Sequence, residues 1–153
     1  MDEETEIFIS DLEKKFGGEL TWRTFSTWYG CSDGIQREFG VFMFQIGDTF
    51  HFEDFEKENL IFGMKIGTNN KKKKEPFVKL ERAFEKDQIQ SINTTTRSIA
   101  NNIIRKRLDP SAIKNVNIID KLFKKLVTAV ILKDGTIHFF ELIGPKDFEA
   151  AAK

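Results

Sequence analysis

Two histidines stand between phenylalanines in this chain, His51 in "TFHFED" and His138 in "TIHFFE". Imidazole and carboxylate side chains bind zinc and related metals, and Glu53, Asp54 and Glu141 lie near one or other histidine in sequence. Their spacing matches no ligand pattern, and strand alternation explains both histidines as solvent-side residues. The lone thiol, Cys31, would need a base and an orienting third group to act as a nucleophile. Either histidine supplies a base in principle, nothing supplies the rest, and a structural or exposed thiol is expected. Glu53, Asp54, Glu56 and Glu58 form an acidic cluster suited to general-acid work or a hard cation. The cluster lacks the ordered spacing of a calcium loop, and a charged hairpin tip accounts for it. No phosphate-cradling glycine loop and no Gly-x-Ser-x-Gly elbow occurs. The expectation is a protein that is not an enzyme and has no cofactor and no metal.

Binding is the remaining chemistry. Lys71, Lys72, Lys73 and Lys74 form the densest charge run, and near an anionic lipid surface each lysine contributes about 1 kcal/mol, screened by salt. The plain reading is a solvated turn. Arg105, Lys106, Arg107, Lys114, Lys121, Lys124 and Lys125 make a second basic stretch, which would offer phosphates a strip if 97–108 is helical. Asn101, Asn102 and Asn115 add no base-reading pattern. Trp22, Trp28 and Tyr29 are the aromatic candidates: exposed, they would anchor a protein partner; buried, they belong to the core. A protein partner is therefore expected first, an anionic lipid second and nucleic acid last.

Charge supports that ranking. The 153 residues carry 24 basic and 24 acidic side chains, so no whole-molecule field advertises a polyanion binder. Residues 1–60 nevertheless hold 5 basic and 14 acidic side chains, against 19 and 10 in 61–153. One cysteine excludes an internal disulfide, the opening "MDEETEIFIS" is acidic where a secretory signal needs basic residues, and no stretch reaches a membrane span. A cytoplasmic location is expected.

The elements that must position these residues follow from periodicity. Phe8, Leu12 and Phe16, with Ile9, mark the apolar stripe of a short helix that Gly17-Gly18 ends. "LTWRTFSTWYG" (20–30) is rich in threonine and aromatic residues and reads as a strand. "EFGVFMFQI" (38–46) and "TFHFEDF" (49–55) flank Gly47-Asp48 as a hairpin, and "NLIFGMKI" (59–66) alternates as a third strand of a meander. Phe39, Phe42, Phe44, Phe50, Phe52, Phe55 and Phe62 are its expected core. "PFVKLERAF" (76–84) is another strand, and "DQIQSINT" (87–94) is expected to pair with it. Residues 97–115 change period and read as a helical excursion or a flexible arm. "KLVTAVILK" and "TIHFFEL" flank Asp134-Gly135 as a final hairpin. "GPKDFEAAAK" then starts a helix at Pro145, too short to stand alone in water, so Phe148, Ala151 and Ala152 must lean on the open end of a curled sheet.

The "GVFMFQIGDTFHFEDF" hairpin, the "LKDGTIHFFEL" hairpin and the "GPKDFEAA" helix together resemble bacterial domains of the pleckstrin-homology-like superfold, over about residues 20–153. The resemblance implies an α+β, mainly β fold: an antiparallel meander forming a partly open PH-like barrel capped by a C-terminal helix, here preceded by a short helical extension at 1–19. It also implies a noncatalytic module for phosphoinositide head groups or short protein segments. The lipid-binding branch carries several basic residues in the loop joining its first two strands, whereas "CSDGIQRE" here has only Arg37.

Overall fold

The computed structural model describes residues 2–54, 80–114 and 116–153. The first helix, α1 (Glu3–Phe16), is held at both ends by local chemistry. Asp2 accepts from the Thr5 amide, three glutamates occupy the first turn, and Gly17 closes the helix at φ 74°. Seven strands follow among the described residues: β1 (Leu20–Cys31), β2 (Gln36–Ile46), β3 (Thr49–Asp54), β4 (Glu81–Glu85), β5 (Ile89–Thr96), β6 (Leu126–Leu132) and β7 (Ile137–Leu142). Two helices, α2 (Arg97–Lys106) and α3 (Ile118–Phe123), lie between β5 and β6, and α4 (Pro145–Ala151) follows β7.

The strands form one antiparallel sheet in the order β4-β3-β2-β1-β7-β6-β5. The two expected tight turns are present. Ile46 pairs with Thr49 around Gly47 at φ 63°, and β6 returns into β7 past Gly135 at φ 93°. The expected strand at 59–66, with Phe55 and Phe62, lies outside the described residues. The expectation that 87–94 pairs with the preceding strand is corrected. A three-residue 3-10 turn, Lys86–Gln88, separates β4 from β5, and β5 pairs instead with β6, from Ile89 opposite Leu132 to Thr96 opposite Leu126. The turn thus joins the two opposite edge strands of the sheet and closes no hairpin. The sheet must therefore curl until those edges meet at one corner. No ladder joins β4 to β5 among the described residues, so the curled sheet stays open.

Along β6, β7 and the ends of β1 and β2 both faces of the sheet are buried, which is why these stretches carry apolar residues at consecutive positions. The inner face gathers Trp28, Val41, Met43, Phe50, Phe52, Phe84, Val130 and Phe140. Into this cluster α4 inserts Phe148, fully buried, with its ring 5.2 Å from Phe50 and 5.5 Å from Trp22. On the outer face, α1 lays Leu12 and Phe16 over Phe42, Phe44 and Ile46. Farther along, α2 buries Ala100, Ile103 and Ile104 against Tyr29, Val127, Ala129, Ile137 and Phe139. The alternative that 97–115 forms a flexible arm is thus corrected for its helical part. Thr96 caps α2 by accepting from the Ile99 amide, and three apolar side chains spaced for one helical face pin it to the sheet.

Candidate binding surface

The curled sheet brings the reactive side chains inside, where their chemistry is muted. His138 is 5% exposed, a correction to its expected solvent position. Its ring lies among Phe52, Phe84, Phe140 and Trp28. Cys31 stands opposite His138 in the β1–β7 ladder, and it too is buried. Burial pushes the thiol up and pushes the imidazole down to about 4, with the nearby Arg82 charge helping in the second case. Both groups are therefore neutral at pH 7. A thiolate with an imidazolium partner needs the opposite shifts. His51 lies on the outer face, half-buried between Phe16 at 4.1 Å and Phe44 at 5.0 Å, and burial lowers its pKa as well. Its expected solvent position is corrected by α1, which covers that part of the sheet.

The acidic cluster is divided. Glu53 and Asp54 are buried within β3 and do not form an exposed hairpin tip; Glu56 and Glu58 lie outside the described residues. The Asp54 carboxylate accepts from Arg37 Nη2 at 2.7 Å and from the Leu80 amide at 2.9 Å, and so ties β2 to the chain entering β4. Asp33 pairs at 3.8 Å with Arg82, whose guanidinium stands 5.4 Å over the Trp28 ring. No cluster of metal-ligating side chains occurs among the described residues.

The aromatic candidates go largely to the core. Trp28 and Tyr29 are buried on opposite faces of β1 and do not make a surface patch. The Tyr29 hydroxyl donates to Glu141 at 2.9 Å, Arg97 covers its ring at 5.1 Å, and burial raises the hydroxyl to about 12. Trp22 is half-buried beside Phe148 and Phe50. Lys71–Lys74 lie outside the described residues. The basic residues of 105–125 do not share one helical strip. Arg105 and Lys106 end α2, Arg107 is its left-handed cap, Lys121 lies on α3, and Lys124 and Lys125 follow it.

Two accessible features bear on binding among the described residues. The first is the edge of the sheet at β5. Its eight residues, "IQSINTTT", pair with β6 on one side and with no strand among the described residues on the other. Edge strands are ordinarily blunted by charge or proline, and β5 has neither. Ile89 and Ile92 turn inward to the apolar cluster that also receives Ala151 and Ala152 of α4, while Gln90 and Thr94 face water. The second is α3, which sequence periodicity did not reveal although its capping box, Asn117 with Asp120, is a readable start signal. No helix among the described residues is long and apolar enough to cross a membrane. No protein-family model matches the chain, and neither does any curated protein or solved structure.

Proposed function

We propose that this chain is a noncatalytic binding module of pleckstrin-homology-like architecture that takes an extended segment of a protein partner along β5. The strand order, with a C-terminal helix set into the inner face, supports the architecture. The single observation that carries the function is the edge of β5, which pairs with no strand among the described residues on its outer side. Eight extended residues offer about 26 Å of backbone donors and acceptors, enough to register a partner strand by main-chain hydrogen bonds. Ile89 and Ile92, packed toward the inner cluster, give that strand an apolar side to read. Buried, neutral Cys31 and His138 support the noncatalytic part.

The test is selection of binders from a random peptide display library on the full chain, followed by hydrogen exchange with and without the selected peptide. Slowed exchange of the Ile89–Thr96 amides is the expected result. A library that yields no specific binder, or protection confined to other strands, overturns the reading.

A further inference from the structure

The helix α3 holds its apolar residues in the wrong place for a folded core. Ile118, Ile119 and Leu122 are 74%, 64% and 70% exposed, although their spacing sets them along one side of the helix. The helix does not form by burying them. Asn117 accepts from the Asp120 amide at 2.8 Å, and Asp120 is tied to Lys124 at 3.2 Å, so local capping chemistry maintains the turn while the aliphatic side stays in water. Scattered single exposures need no explanation, but three large aliphatic side chains on six residues make a concentrated apolar tip.

The surroundings of the tip are basic. Residues 105–125 hold seven Lys or Arg and two Asp. Of the two acids, Asp120 is paired with Lys124 at 3.2 Å and Asp109 accepts from the Ser111 amide, and the basic side chains outnumber them by five. Lys114 and Lys121 are exposed and form no ion pair among the described residues. Behind the tip, Lys124 and Lys125 line a cleft of about 300 Å³ with Thr96, Arg97, Ser98 and Asn101. Lys125 is paired with Glu141 at 3.2 Å, with the lysine exposed and the glutamate half-buried, and a pair so close to solvent contributes little.

We propose that α3 is a membrane-docking finger: Ile118, Ile119 and Leu122 enter the headgroup region of an anionic phospholipid bilayer, and Lys114, Lys121, Lys124 and Lys125 meet its phosphates and carboxylates. The composition favours a bilayer over a protein. Protein hot spots draw on Trp, Tyr and Arg seated in pockets, whereas this tip is aliphatic, exposed and flanked in sequence by lysine. A single short insertion with a basic surround gives weak, reversible and salt-sensitive attachment, not permanent anchoring. The aliphatic tip is not part of β5, although the cleft beside Lys124 and Lys125 includes Thr96 at the end of that strand, and vesicle flotation and peptide-dependent exchange test the two readings separately.

The test is flotation of the full chain with phosphatidylcholine vesicles and with vesicles that also contain phosphatidylserine. Binding is expected only to the second kind, and it weakens on added salt. The I118S/I119S/L122S variant, whose changes lie in water, keeps the wild-type thermal transition and binds about tenfold or more weakly. K114Q/K121Q loses affinity in the same direction. Absence of binding to phosphatidylserine vesicles overturns the proposal, as does full binding by the triple serine variant. Binding that disappears only when Lys71–Lys74 are changed to Gln also overturns it. If the wild type does not bind vesicles but self-associates in size exclusion, and the serine variant does not, the face belongs to a second copy and the proposal fails.

Discussion

The imidazole of His138 lies against the ring of Phe84, with centroids 5.6 Å apart and planes 18° from parallel. The two residues belong to β7 and β4, which β1, β2 and β3 separate in the sheet. Contact between strands so far apart in the ladder exists because the sheet closes over itself, and the two rings meet inside it. The histidine thereby becomes part of the aromatic core and leaves its Nδ1 without a hydrogen-bond partner among the described residues.

This placement makes stability depend on pH. Above the ordinary histidine value of 6.5, His138 is neutral in folded and unfolded chains alike, and the fold has its full stability. As the pH falls below 6.5, the unfolded chain takes up a proton that the folded chain refuses until about pH 4. Stability is therefore lost across that window, by about 1.4 kcal/mol per pH unit and about 3 kcal/mol in all. Burial is the main cause; Arg82 adds to the shift, while Asp33 and Asp134 oppose it. Urea unfolding at several pH values checks this, and His138→Leu is expected to flatten the slope between pH 6.5 and 4. An unchanged slope in the variant would mean that other groups govern the acid limb.

Phe148 is the plug of the inner face. Phe148→Ala is expected to cost about 3–5 kcal/mol, the range for emptying a fully buried aromatic site. Because Trp22 shares that contact, its emission should shift to the red in the folded variant. A loss under about 1 kcal/mol with unchanged emission would show that α4 does not seal the sheet.

Gly30 sits at the irregularity in β1 where the strand turns from its pairing with Trp28's partners to those of Cys31. Its φ is 145°, and a Cβ there would come 2.3 Å from the Ile35 carbonyl oxygen and 3.1 Å from Ile104 Cδ1. Gly30→Ala is expected to destabilise by about 3 kcal/mol or more, since both the backbone conformation and the contact are forbidden. Gly40→Ala is the control: a Cβ meets nothing within 4 Å there, and the change should alter stability by less than about 1 kcal/mol. Thermal unfolding of both variants separates steric exclusion from a general intolerance of alanine.

The parts of this fold readable in the sequence are those written locally. Gly17 ending α1, Gly47 turning β2 into β3, Gly135 turning β6 into β7, and Pro145 starting α4 each act within a few residues. The pairing of β5 was not readable, because its choice of β6 over β4 follows from the curl of the whole sheet. The histidines were misplaced for a related reason. Alternation assigns a solvent side only when one face of a sheet is wet, and here α1, α2 and the closed-over interior leave little wet face. Trp22 is the one aromatic candidate left partly accessible, while Trp28 and Tyr29 show how strongly composition alone favours the core. The α3 tip is not legible in the sequence because its aliphatic residues keep helical spacing over only six residues and serve no interior.

The seam between β1 and β7 divides the sheet into two ribbons of strands paired in chain order, β1 to β4 and β5 to β7. Across it, the Ser26 hydroxyl donates to the carbonyl of Glu141, 115 positions away. Such a juncture is entropically costly to form and gives nothing back until both ribbons exist, so its zipping sets the tempo of folding. The same logic makes Lys86–Gln88 the natural place to sever the polypeptide: the fragments should recombine, with β1 and β7 as their mutual docking strands.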